Sequence, residues 1–234
     1  YWHKKYGANA KYVFNEFIQE KLGPFSIGKR LKYGAFGYIG YTTWVKLGDE
    51  EPLGTHSNAF KRDVNYWLSY SKTGLYSWHL LDYLGEDTID TIMHSYYADW
   101  EFKHPYPEDY FTYFNKFSNK DLGWYTHDVF YETGTVDYAA SIIGNDAVFI
   151  NYGSLTIPFE AAFYDGKRNE ISRLWFDNVG RVESIPLPEG AKSIIIDPDE
   201  TLPDVNRPNN ATSKPLVFTW VFDQPQYYKR EIFW

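Results

Sequence analysis

The chain has 234 residues, 23 Lys and Arg against 31 Asp and Glu, a net charge of −8 and no cysteine. Its 44% apolar content supplies a core and excludes intrinsic disorder. The acidic balance argues against a nucleic-acid footprint, and no apolar run approaches the roughly 20 residues of a membrane span. Without thiols there is no disulfide frame, cysteine zinc site or cysteine nucleophile. Of 48 aromatic residues, 34 fall within the first 140, so the two parts of the chain are built differently. Rings in such number fill a core or form a stacking surface for sugars or peptides.

In chain order, Tyr12–Lys21 reads as a helix with Val13, Phe17 and Ile18 or Lys21 turned inward. The glycine-rich stretch Lys32–Gly54 shows few periodic signals and reads as ordered loop or short strand. From Tyr66 to Leu84 the spacing predicts a helix, with Tyr70, Gly74, Trp78 and Leu81 on one face and Gly85 as a left-handed C-terminal cap. Asp87 reads as the N-cap of a second helix, where Ile89, Ile92, Met93, Tyr96 and Trp100 recur at helical spacing. Pro107 opens a third, with Glu108 and Asp109 in the first turn, where carboxylates suit the helix dipole. Its stripe is Tyr110, Tyr113, Phe114 and Phe117. A fourth begins near Asp121 and carries Leu122, Tyr125, Val129 and Phe130.

After Ser141 the period changes to two. Asp146–Tyr152 places Val148, Ile150 and Tyr152 on one side; Thr156–Tyr164, Ile171–Phe176, Ser193–Ile196 and Leu216–Phe222 follow, with a hairpin turn at Asp165-Gly166. The fold class expected is therefore α+β in two domains: a helical bundle over 1–140 and a small antiparallel β-sandwich over 141–234.

Histidines 3, 56, 79, 94, 104 and 127 show no His-Glu-x-x-His arrangement and no i, i+4 pair, so the helical zinc motif is absent and each reads as structural. A nucleophile elbow, a P-loop and a dinucleotide-binding glycine motif are also absent. The carboxylate pairs Glu86-Asp87 and Glu108-Asp109 sit at helix starts, which accounts for them; Glu50-Glu51 is a third pair. Asp197-Pro-Asp-Glu200 is only loosely like a calcium loop and lacks the EF-hand spacing. Asn210-Ala-Thr212 is a formal glycosylation sequon.

One constellation stands apart. Tyr70-Ser71-Lys72-Thr73-Gly74 is followed by Tyr83-Leu84-Gly85-Glu86-Asp87 and then by His104-Pro105-Tyr106-Pro107-Glu108-Asp109. Together with the opening Tyr1-Trp2-His3-Lys4-Lys5-Tyr6-Gly7, and with Asn151-Tyr-Gly153 and Asn206-Arg207-Pro208-Asn209-Asn210 further on, it resembles the M1 (gluzincin) family of zinc aminopeptidases, in its bacterial members. The resemblance covers most of the chain. It implies that Tyr70 donates a hydrogen bond to the oxyanion formed when a peptide substrate is attacked. It also implies that the zinc ligands, the general base and the amine-reading loop belong to an upstream part of the same polypeptide. This chain would then be a C-terminal fragment that alone holds no catalytic zinc and hydrolyses nothing. A bacterial source leaves the sequon unmodified and the compartment open, periplasmic or secreted. The alternative reading, from a different class, is a non-catalytic binding or scaffold module whose aromatic surface holds peptide or glycan.

Overall fold

The computed structural model describes residues 35–213; the helix expected over Tyr12–Lys21 and the strand expected over Leu216–Phe222 lie outside them. The described chain is α+β, helices first and strands after. It contains α1 (Ala35–Lys46), α2 (Asp63–Leu84), α3 (Glu86–Trp100) and α4 (Pro107–Phe117). A π-helical turn (Trp124–Asp128) runs on into a short α-turn (Val129–Tyr131). The strands are β1 (Tyr138–Ile143), β2 (Asp146–Asn151), β3 (Phe159–Tyr164), β4 (Glu170–Phe176), β5 (Val182–Pro186) and β6 (Ser193–Ile196).

Helix α1 replaces the loop or strand expected there. Its glycines explain the misreading: Gly37 and Gly40 face α2, where a Cβ would meet Ser71 and Leu68 at ordinary contact distance. Each costs about 1 kcal/mol of helix propensity against alanine, which packing of Tyr41 and Val45 into the core offsets. In α2 the buried residues are Asn65, Lys72, Tyr76, His79, Leu80 and Tyr83. The face bearing Tyr70 and Gly74 is exposed, and Trp78 and Leu81 on it are half-buried.

Gly85 does end α2, its N–H donating to the Leu81 carbonyl at 2.9 Å. Its angles, φ 81° and ψ 154°, lie beyond the left-handed helical region expected, in territory open only to glycine. Gly85 is at the same time the N-cap of α3, which starts at Glu86, so Asp87 lies inside the first turn and is not the cap. At α4 the Asp109 carboxylate accepts from the Tyr106 amide at 2.9 Å. The fourth helix expected from Asp121 is instead the π-turn at Trp124, with both Tyr125 and Thr126 amides converging on the Leu122 carbonyl.

The strands form two three-stranded antiparallel sheets, ordered β1-β2-β5 and β4-β3-β6. Strands β1 and β5 were not read from the sequence. β1 opens the region a few residues early, and β5 is a short, largely exposed strand at the edge of its sheet. In β2, Ala147, Val148, Phe149 and Asn151 are buried, Ile150 is half-buried and Tyr152, beyond the strand, is exposed, so both faces of the strand are largely covered. Phe149 of one sheet meets Phe159 and Phe176 of the other at ring-centroid distances of 5.5 and 4.5 Å. In the β3–β4 turn the Asp165 carboxylate takes the amides of Lys167 and Asn169, and Arg168, not Gly166, carries the positive φ of 68°.

Asp197, offered by its sequence as a loose calcium loop, turns its carboxylate onto the Thr201 and Leu202 amides at 2.8 and 2.9 Å. Its oxygens are spent on the loop's own backbone. Asn210 is buried, and the Thr212 hydroxyl accepts from the Ile194 amide, so the sequon is folded into the β6 edge.

Helices and sheets share one core cluster, running from Tyr41 to Leu202. His79 is its polar rivet. Nε2 donates to the Pro158 carbonyl at 2.7 Å, which leaves Nδ1 to accept from the Thr201 hydroxyl at 2.9 Å. Beside it, Tyr83 donates to Asp177 at 2.8 Å while the Lys120 ammonium lies 3.5 Å over its ring. Burial pushes His79 down to about 4. The imidazole therefore stays neutral in the fold where it would be protonated in the unfolded chain. Its contribution is complete above the unfolded value of 6.5 and is lost as pH falls toward 4, about 3 kcal/mol across that window. Asp197 and Asp204, pushed by burial up to about 7, act in the opposite sense: their contribution is present in acid and lost as pH rises through 7. The difference between wild type and His79→Gln isolates the histidine. We expect wild type to lose more stability than the variant between pH 7 and 4.5 in urea unfolding; parallel profiles would contradict the assignment.

Candidate functional site

The residues singled out by the sequence lie on two opposite faces of α2. Tyr70 is 62% exposed. Its hydroxyl lies 3.1 Å from that of Tyr66, one turn earlier, with the two rings edge-to-face at 5.7 Å. Tyr66 in turn is flanked by Phe60 at 6.2 Å and Trp67 at 5.6 Å. These residues border a recess of about 520 Å³ lined by Ser57, Asn58, Phe60, Asp63, Tyr66 and Trp67. Gly74, one turn beyond Tyr70, is exposed and has open space where a side chain would stand. Tyr70's phenol is held above its ordinary value, chiefly by the bond to Tyr66, so it is a neutral hydrogen-bond donor at neutral pH.

The other face carries a buried ion pair. Lys72 Nζ stands 2.8 Å from Glu50 Oε1, with the two side chains 2% and 9% exposed. Lys72 also donates to the Glu132 carbonyl at 3.2 Å. Glu50 accepts further bonds from the Tyr41 hydroxyl at 3.2 Å and the Gly134 amide at 3.0 Å. The Tyr41 and Tyr76 hydroxyls meet at 3.4 Å behind it. Burial pushes the Lys72 ammonium below its usual range, and the Glu50 carboxylate opposes that shift. One pair thus ties α1, the α1–α2 loop, α2 and the segment that leads into β1.

The second member of the acidic pair, Glu51, is also structural. It accepts the Lys61 amide at 3.1 Å and a bond from the Asn65 side chain, and it is held below the usual carboxylate range by the first of these. Arg62 pairs with Asp49 at 2.6 Å. Among the described residues no group of three or more His, Asp or Glu side chains could hold a metal ion, and no helix is long and apolar enough to cross a membrane.

The chain matches no protein-family model and no curated protein. The geometry of α2 therefore carries the reading. Sequence reasoning had named Tyr70 but neither Tyr66 nor the Lys72–Glu50 pair. Tyr66 was visible as an i, i+4 partner of Tyr70. A lysine on the apolar side of a helix, among Tyr76, His79 and Leu80, was the signal for a buried counter-charge.

Removing one partner leaves the other charge buried and uncompensated. Lys72→Met is expected to lose about 3–5 kcal/mol, and the double variant Lys72→Met/Glu50→Met to recover much of it. Urea unfolding of the three proteins checks this; a loss under about 1 kcal/mol in the single variant would show the pair to be dispensable.

Proposed function

We propose that this chain is the C-terminal part of a zinc-dependent aminopeptidase of the gluzincin type, in which Tyr70 stabilises the oxyanion of the tetrahedral intermediate. The observation that carries the reading is the division of the Tyr70-x-Lys72-x-Gly74 motif across α2. The tyrosine hydroxyl is displayed, the lysine is locked into the core, and the glycine leaves space beside the ring. A phenol in use as a donor needs that combination of exposure and a rigid support.

In this reading the helices complete the peptidase catalytic domain expected over 1–140. The two sheets, meeting through Phe149, Phe159 and Phe176, belong to a β-sandwich domain whose expected start at 141 falls inside β1 and moves back to Tyr138. In this reading, as the resemblance implies, the zinc would belong to an upstream part of the same polypeptide, where it would supply the Lewis acid and the activated water. Tyr70 supplies the neutral donor. It keeps its proton at working pH, and its work is to offer that proton to charge that develops on the substrate carbonyl oxygen, an effect typically worth about 10²–10³ in rate. The substrate class implied is a peptide cleaved at its N-terminal bond.

A second reading, a non-catalytic module that holds peptide or glycan, draws on Phe102 and Tyr106 in the α3–α4 connection. They are 99% and 74% exposed, and Phe102 is held at φ 60°.

The two readings separate in the complete protein. Tyr70→Phe removes one hydroxyl from an exposed position, and kcat is expected to fall about 10²–10³-fold with little change in KM. Unchanged turnover, or a coding sequence upstream of Tyr1 that lacks His-Glu-x-x-His, would favour the binding module.

A further inference from the structure

The phenol at position 70 is not alone. Tyr66 and Tyr70 are one helical turn apart, their hydroxyl oxygens 3.1 Å apart and their rings perpendicular. The two are held differently. Tyr66 is half-buried, wedged between Phe60 and Trp67 and forming part of the recess wall. Tyr70 is 62% exposed, and its ring neighbours among the described residues are Tyr66 and Trp67. Tyr66 is the fixed member of the pair and Tyr70 the displayed one.

A phenol has one proton to donate and lone pairs to accept with, and either oxygen of this pair can be the donor. With no anion present, Tyr70 can rest its proton on Tyr66. Once Tyr70 turns its proton toward an anion, its own oxygen becomes free to accept, and the Tyr66 hydroxyl is the group within reach. We propose that Tyr66 is a positioning residue, donating to the Tyr70 oxygen while Tyr70 donates to the substrate oxyanion. This rests on the reading of Tyr70 as the oxyanion donor and adds the group that orients it. No proton changes owner: two O–H bonds point the same way along a chain that ends on the negative oxygen. Hydrogen bonds in such a chain polarise one another, so the terminal donor is strengthened by the one behind it. The raised titration of Tyr70, caused chiefly by Tyr66, fits a hydroxyl pair in contact.

Tyr66→Phe tests this, since it removes only the hydroxyl and keeps the ring against Phe60, Trp67 and Tyr70. In the 234-residue chain carrying tyrosine labelled with carbon-13 at Cζ, the Tyr70 resonance, assigned with Tyr70→Phe, is followed against pH. Tyr66→Phe is expected to bring the Tyr70 midpoint down toward its ordinary value; an unmoved midpoint would overturn the pairing. In the complete protein Tyr66→Phe should lower kcat about two- to tenfold, the worth of one neutral hydrogen bond, at unchanged KM. Full kcat in Tyr66→Phe, alongside a crippled Tyr70→Phe, would overturn the role of Tyr66 and leave that of Tyr70 standing. A fully active Tyr70→Phe would overturn the reading beneath both.

Discussion

A lysine ammonium and a glutamate carboxylate that have left water together set the rotation of the longest helix described here. Consecutive helical residues are about 100° apart around the axis. With Lys72 pointing inward to Glu50, a residue two positions away is turned by about 200° and faces outward, and that residue is Tyr70. Tyr76, four positions from Lys72, returns to within about 40° of it and is buried; Tyr66 stands in the same relation to Tyr70 and shares its face. Desolvating two charges is costly unless every remaining lone pair is satisfied. Here Tyr41, Gly134 and the Glu132 carbonyl complete the set. Because the pair and its partners span four segments, the pair fixes the register of α2 against α1 and against the entry to the sheets.

The same helix carries the restraint further along its length. Beyond Lys72 its inward residues are Tyr76, His79, Leu80 and Tyr83, and the last turns reach the strands through the His79–Pro158 and Tyr83–Asp177 hydrogen bonds. Aromatic rings dominate this seam: Trp175 of β4 lies 5.9 Å from His79 and 4.9 Å from Tyr83. The abundance of tyrosine and tryptophan that could suggest a ligand surface is thus largely consumed in packing. The exposed rings include Trp67 and Tyr70 on α2, Tyr97 on α3, Phe102 and Tyr106 in the α3–α4 connection, and Tyr131 and Tyr152. Trp67 lines the recess of about 520 Å³, and Tyr70, one turn before the exposed Gly74, stands next to Trp67 on the same helix.

Much of this was legible from periodicity. Helices α2 to α4 and strands β2, β3, β4 and β6 followed from the switch of hydrophobic period from 3.6 to 2. The misses have separate physical causes. Helix α1 was hidden because Gly37 and Gly40 look like breakers in a sequence while in the fold they face a neighbouring helix. Strand β5 is short, largely exposed and at an edge, with Ile185 its only residue against the core, so no alternating buried side marked it. β2 does not keep a clean alternation: Val148 and Phe149 are both buried, and Asn151 is buried too, its amide donating to the Leu155 carbonyl, while Tyr152 faces water. The Lys72–Glu50 pair joins positions 22 residues apart, and spacing rules reach only one or two helical turns. Tyr70 could be named from its motif, yet its surroundings (Tyr66, Phe60, Trp67 and the recess) depend on how the α1–α2 loop folds back.

One arrangement underlies the site: Tyr70 outward, Lys72 and Tyr76 inward on the same helix. Graded chemical modification of the folded chain, read out by peptide mass spectrometry, examines it directly, with nitration for tyrosines and acetylation for lysines. The expected result is early nitration of Tyr70, protection of Tyr76, and acetylation of Lys72 only after exposed lysines such as Lys61 and Lys103. Protection of Tyr70 together with rapid reaction at Lys72 or Tyr76 would mean that α2 is turned the other way, and the displayed phenol would be lost with it.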